Sequence, residues 1–409
     1  MTSRLVPHDP MTRRLTLATL VNTFGNGLFM TTSALFFTRS VGLSVGQVGL
    51  GMTIAGCFGV AATVPAGHLA DRWDPRKLFV VLALIEAAGM LSYSRVHSMA
   101  TFLPAVCLVA VVDRASSTIR ATLIAVALPP DKRSSTRAYL RAVTNLGIGL
   151  GSAVAAVALQ IDTRTAYLSL IVLDAVTFAL TAAVLARLPL IAKPEPVEHE
   201  DGARRLRALT DAPYLTVTVL NAILTVQYGM LEVGVPLWVA GHTHAPRVMV
   251  SVVFLLNTAM IVLLQVRTTR RIDTVPSAGR AAGRCGLLLG LACLVYAMAS
   301  GASVWLAVVI LVVAGIVQTF GEMLAAAAGW TLSYDLAAPD APGAYQGVFT
   351  GGFAAGQMLA PLVVTLTAIH LGRPGWVILA VVFAAAGAAM APAARWALRT
   401  RVVVTSGTG

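Results

Sequence analysis

Asp113 and Arg114 stand side by side inside an apolar run, 99–127, that holds one further cation, Arg120. A carboxylate can take up and release a proton, and a neighbouring fixed cation tunes how readily it does so. The placement recurs along the chain. Glu86, Asp174, Glu232 and Glu322 each lie in an apolar run, and Arg141 lies early in another. An ionised group at the centre of a bilayer costs roughly 2.5–3.5 kcal/mol on insertion scales, so its default reading is functional. Asn22 and Asn26 add amides at i, i+4, on one face of the first run. Gln227 and Tyr228 add hydrogen-bonding groups near Glu232, and Gln318 precedes Glu322 by four residues. These types suit proton transfer at Asp113, Glu232 or Glu322. Contact with a small molecule falls to Asn22, Asn26, Arg114, Gln227, Tyr228 and Gln318. Arg120 and Arg141 lie nearer the run ends, where long side chains reach the interface, and read as supporting residues. Glu86 and Asp174 read as packing groups.

The elements that carry these groups follow from composition. The chain has 409 residues, 57% hydrophobic and 12% charged, with a mean hydropathy of +0.79. A soluble domain is about 25% charged. Apolar runs near 20 residues, the length that crosses the hydrocarbon core as a helix, recur throughout. They predict an all-α polytopic membrane protein with twelve spans, near 14–38, 46–70, 77–95, 99–127, 138–160, 165–187, 213–239, 247–267, 281–300, 303–329, 343–370 and 374–396. The segment 188–212, with Pro194, Pro196, a cluster of acids and then Arg204, Arg205 and Arg207, reads as a linker. It divides the chain into 1–187 and 213–409, two pseudo-symmetric bundles of six helices. The polar groups then concentrate on every third helix: one, four, seven and ten.

The net charge of +12 would suggest nucleic acid in a soluble protein. Here the cations sit between spans. With both termini in the cytoplasm, 22 Lys and Arg fall on that side and 5 on the other, so the positive-inside rule places both termini within the cell, at the inner membrane. Cys57, Cys107, Cys285 and Cys293 lack ligand or redox spacing and read as small core residues. Trp238, Trp330, Trp376 and Trp396 lie near span ends and read as interface anchors. No nucleophile elbow, phosphate loop or metal-ligand cluster is present, so neither enzyme, cofactor nor metal is expected. The expected partners are a small-molecule substrate, protons and the lipid bilayer, with the monomer as the working unit.

The turn after the second span reads Gly67-His-Leu-Ala-Asp71-Arg72-Trp-Asp74-Pro75-Arg76-Lys77. With twelve spans and a central linker, it resembles the signature of the major facilitator superfamily. Gly67, Asp71, Arg72, Arg76 and Lys77 match; Asp74 stands where the family has glycine, and Pro75 where it has a first basic residue. Arg114 corresponds to the family's span-four arginine, with Thr118 at the usual glycine. Gly147, Gly149 and Gly151 match the family's antiporter motif, with Ser152 in place of its proline and Ala155-Ala156 in place of its last glycines. The resemblance implies that helices one, four, seven and ten line a cavity opened by alternating access. It also implies that Asp71 helps latch the two halves, by accepting hydrogen bonds from backbone around 343–347 or by pairing with Arg120 or Arg141. The reading that follows is proton-driven export of small amphipathic compounds. Uptake or facilitated diffusion of a metabolite, and a non-transporting sensor or scaffold, are the alternatives.

Overall fold

The computed structural model describes residues 10–161, 163–188 and 207–406, all helical apart from short connections. Most of the predicted 188–212 linker lies outside the described residues. The long helices are α1 (Pro10–Leu35), α2 (Val45–Arg72), α3 (Pro75–Ser92), α4 (Met99–Ala127), α5 (Pro130–Ile161) and α6 (Arg164–Leu185). They continue with α7 (Ala212–His242), α8 (Met249–Thr269), α9 (Val275–Met298), α10 (Val304–Asp335), α11 (Pro342–Val364) and α12 (Arg373–Ser406). Among the described residues, 11 helices are long and apolar enough to cross a membrane. The exception to the predicted twelve is α1. It has the length, 26 residues, but carries Arg13 and Arg14 early and a series of threonines and asparagines along it.

Local sequence sets the helix starts. Ser44 and Gln47 cap α2 reciprocally, each side chain bonding the other's backbone N–H. Asp74 accepts from the Arg76 N–H at 2.9 Å, and Pro75 fills the first helical position of α3, where its missing donor costs nothing. The two departures from the resembled signature are thus a helix start. Asp211 accepts from the Tyr214 N–H at 3.2 Å and begins α7. Thr274 and Ser277 form the same reciprocal cap on α9. Among the described residues, three π-helical turns interrupt the α geometry: Phe36–Ser40 after α1, Met230–Gly234 within α7, and Thr365–Ile369 after α11.

The chain divides into two compact units. The first holds the described residues up to Pro129, those from Tyr139 through α6, and the short stretch Pro339–Gly347. In it α2 packs on α4, α1 on α6, and α3 on both α4 and α6. Gly147 and Gly151 let α5 press against α1. A Cβ on Gly147 would lie 2.1 Å from Thr23 Oγ1, and one on Gly151 2.0 Å from the Phe24 carbonyl oxygen. Ser152 donates to the Gly27 carbonyl at 3.3 Å, a bond that proline at this position could not make. Gly147 and Gly151 therefore serve close helix packing.

The second unit holds Pro130–Ala138, the described residues from Arg207 to Ala338, and those from Val348 onward. Its adjacencies repeat the first unit's: α8 on α10, α7 on α12, and α9 on both α10 and α12. Gly229 on α7 meets Ala360 of α11, as α1 meets α5. The same six-helix plan is therefore built twice.

Two expectations are corrected here. Trp238 and Trp376 are fully buried rather than interfacial. Their rings meet edge to face at 5.7 Å, Tyr296 lies 5.2 Å from Trp376, and His242 stacks on Trp238 at 4.4 Å. The indole N–H of Trp238 donates to the Tyr296 carbonyl at 2.9 Å, which removes the usual reason for an indole to seek the interface. Only two of the four cysteines, Cys285 and Cys293, are core residues; Cys57 is exposed and Cys107 half-buried.

Candidate functional site

In the first unit the intramembrane charges gather on α3, α4 and α6. Asp113 and Arg114 form a loose pair, Nε to Oδ2 3.7 Å, with side chains 52% and 37% exposed. Asp113 thus faces open space and Arg114 partly shields it. One turn on, Ser116 is buried beside Glu86. Glu86 of α3 is buried nearby, and the charges of Asp113, Asp174 and Arg120 all act on it. Asp174 of α6 is buried and accepts from Thr177 Oγ1 at 3.3 Å. Its Oδ1 lies where a side chain on Gly25 of α1 would stand. Glu86 and Asp174, which the sequence suggested only pack, therefore share one electrostatic cluster with Asp113. The spacing of single residues on separate helices could not show this. Asn22 and Asn26 are half-buried on α1.

In the second unit the polar groups are joined to one another. Gln318 Nε2 donates to the Gln227 backbone carbonyl at 3.2 Å, and Tyr296 OH donates to Gln318 Oε1 at 2.9 Å. Gln227 and Gln318 are buried, so both serve a bridge between α7, α9 and α10. Glu322 is buried on α10 and accepts from Asn257 Nδ2 of α8 at 2.8 Å; the same amide reaches Thr319 Oγ1 at 3.1 Å. Asn257 is a partner that sequence reading missed, because an amide on another helix leaves no local signal. Glu232 is exposed on the π turn of α7 and lies close enough to Glu322 for their charges to interact. π turns inside α-helices are frequent at functional positions. Tyr228 packs edge to face on Phe353 at 5.9 Å.

The 67–77 turn does three separate things. Asp71 accepts two backbone hydrogen bonds at the start of α11, from Gly343 N–H at 2.5 Å and Ala344 N–H at 2.7 Å, one on each carboxylate oxygen. These are donors that a helix start leaves unpaired, and they sit at its positive end. Gly67 makes the approach possible, since a Cβ there would lie 2.1 Å from the Gly343 carbonyl oxygen. Arg76 donates through Nη2 to the Ala186 carbonyl at the end of α6, and Arg14 to the neighbouring Arg187 carbonyl. Cations at a helix C-terminus satisfy its last carbonyls. Lys77 and Arg72 are exposed. Arg141 is half-buried early in α5.

The sequence profile of the Major Facilitator Superfamily matches residues 15–361. No curated protein sequence matches the chain. Among solved structures, the chain is similar to a bacterial homologue of the iron transporter ferroportin in an outward-facing state, with a TM-score of 0.70 and 16% identity over 96% of this chain and 100% of that one. It is also similar to the E. coli fucose:proton symporter FucP, with a TM-score of 0.68 and 13% identity over 94% and 98%. The human organic anion transporter MFSD10 (TETRAN) gives a TM-score of 0.66 at 14% identity over 94% and 100%. At these identities the likeness concerns the fold. A twice-built six-helix plan, a carboxylate-capped turn after the second helix and a profile match over most of the length lead to one assignment: the chain is a multi-pass, non-enzymatic membrane transporter of the Major Facilitator Superfamily.

Proposed function

We propose that this transporter is a proton-coupled exporter of small amphipathic compounds that works by alternating access. The observation that carries the reading is Asp113, a carboxylate in the middle of α4 that is half exposed beside Arg114. Such a group can exchange a proton with water on one side, and its charge bears on the buried Glu86 in the same unit. Coupling requires that protonation favour one access state over the other, which is a difference in affinity between states. Asn22, Asn26 and Tyr228 offer hydrogen bonds to the substrate, and the apolar walls supply most of its affinity. Asp71 serves as the gate latch through its hold on α11.

The test is transport into proteoliposomes of a panel of amphipathic dyes under an imposed pH gradient. The proposal expects accumulation that collapses when the gradient is dissipated by a protonophore. Flux of the same dyes that ignores the gradient would support facilitated diffusion instead.

A further inference from the structure

A cavity of about 680 Å³ opens where the end of α8 meets the start of α9, and five arginines line it: Arg267, Arg270, Arg271, Arg280 and Arg284. None of its lining side chains is acidic. Asp273, the single acid of the connecting turn, does not line it. No hydrogen bond or ion pair of these five guanidinium groups is recorded among the described residues. The corresponding turn after α2 behaves otherwise, with Arg76 bonded to a helix-end carbonyl. A bias of cations to one face of a membrane explains why arginines occur here. All five are exposed, so solvent screens their repulsion; what the bias leaves unaccounted for is their convergence on one hollow whose lining holds no acid.

We propose that this cavity binds the phosphate headgroup of an anionic phospholipid. Guanidinium forks match phosphate oxygens in pairs, and basic pockets between membrane helices on the cytoplasmic side are the recognised setting for such headgroups. The flanking surface specifies a lipid. On α9, Arg280 and Arg284 continue at helical spacing into Leu287, Leu291, Leu294 and Met298, all exposed along one face. On α8, Leu263, 71% exposed, lies one turn before Arg267. An acyl chain laid along these stripes leaves its phosphate at the arginines. The site lies within the second unit, shares no residue with Asp113 or the latch, and does not depend on the direction or coupling of transport.

The test uses the full chain in mild detergent. Native mass spectrometry follows retention of phosphatidylglycerol, phosphatidylcholine and inorganic phosphate. Wild type is expected to retain phosphatidylglycerol in preference to phosphatidylcholine, with inorganic phosphate failing to displace it. Arg280→Gln and Arg267→Gln are each expected to weaken retention about fivefold, the worth of one arginine at an anionic surface. Arg247→Gln, just before the start of α8 and so at the opposite end of that helix from Arg267, is expected to leave it unchanged. Equal retention of the two lipids by wild type overturns the proposal without recourse to any variant. Displacement by inorganic phosphate overturns the lipid assignment in favour of a soluble anion. An equal loss in Arg247→Gln would overturn the site in favour of general surface charge.

Discussion

Asp71 holds α11 through two backbone donors, one on each carboxylate oxygen. Asn at this position keeps one acceptor and turns the other into a donor that faces another N–H. Hydrogen bonds to charged groups contribute roughly 1.5–3 kcal/mol, so Asp71→Asn is expected to destabilise by about that amount, read as a lower midpoint of thermal unfolding in detergent. An unchanged midpoint would mean that the contact carries no energy. Asn257→Leu removes the amide that serves Glu322 and Thr319. A buried group stripped of a partner costs roughly 1–3 kcal/mol, and the same melting experiment reads it. The two residues differ in how far the sequence revealed them. Asp71 was legible because its motif and its place beside a helix start both point to an anion at positive dipole. Asn257 was not, since its partner lies 65 positions away on another helix. The buried setting of Trp238 and Trp376 was equally hidden, because position near a span end does not say which way a helix is turned.

Helices approach one another where glycine permits. Gly67 on α2 faces the Gly343 carbonyl at a distance that no Cβ can occupy. Gly67→Ala therefore forces the α11 start away from Asp71, and overpacking of this kind costs roughly 1–3 kcal/mol, so a lower melting midpoint is expected. Gly149 is the control, with nothing within 4 Å of its would-be Cβ. Gly149→Ala should leave the midpoint unchanged or raise it, by up to about 1 kcal/mol of helix propensity. Loss of stability at Gly149 rather than Gly67 would contradict the packing described. Element existence was legible from apolar length, whereas the starts capped by Asp74 and Thr274 precede the apolar runs at 77 and 281 and were set by polar residues that apolar length does not see. The π turn that carries Glu232 was not, because nothing in Met230–Gly234 distinguishes an inserted residue from a regular turn.

Across the whole molecule, the sequence showed the fold class and the duplication, since both rest on apolar length and repeated pattern. The first span is where composition alone is weakest, because α1 carries Arg13 and Arg14 and a series of threonines and asparagines among its apolar residues. Span number decides orientation. Twelve spans put both termini on one side, whereas eleven would put them on opposite sides. Reporter fusions at each terminus are expected to place both in the cytoplasm, as the 22 to 5 distribution of cations requires. The cluster of Asp113, Glu86 and Asp174 was only partly legible, because the sequence gives charge and depth on each helix but not which faces converge. Asp113 carries the central claim. In proteoliposomes, Asp113→Asn is predicted to abolish uphill transport driven by a pH gradient while leaving counterflow exchange of the same substrate largely intact; gradient-driven transport equal to that of wild type would contradict the proton role assigned to it.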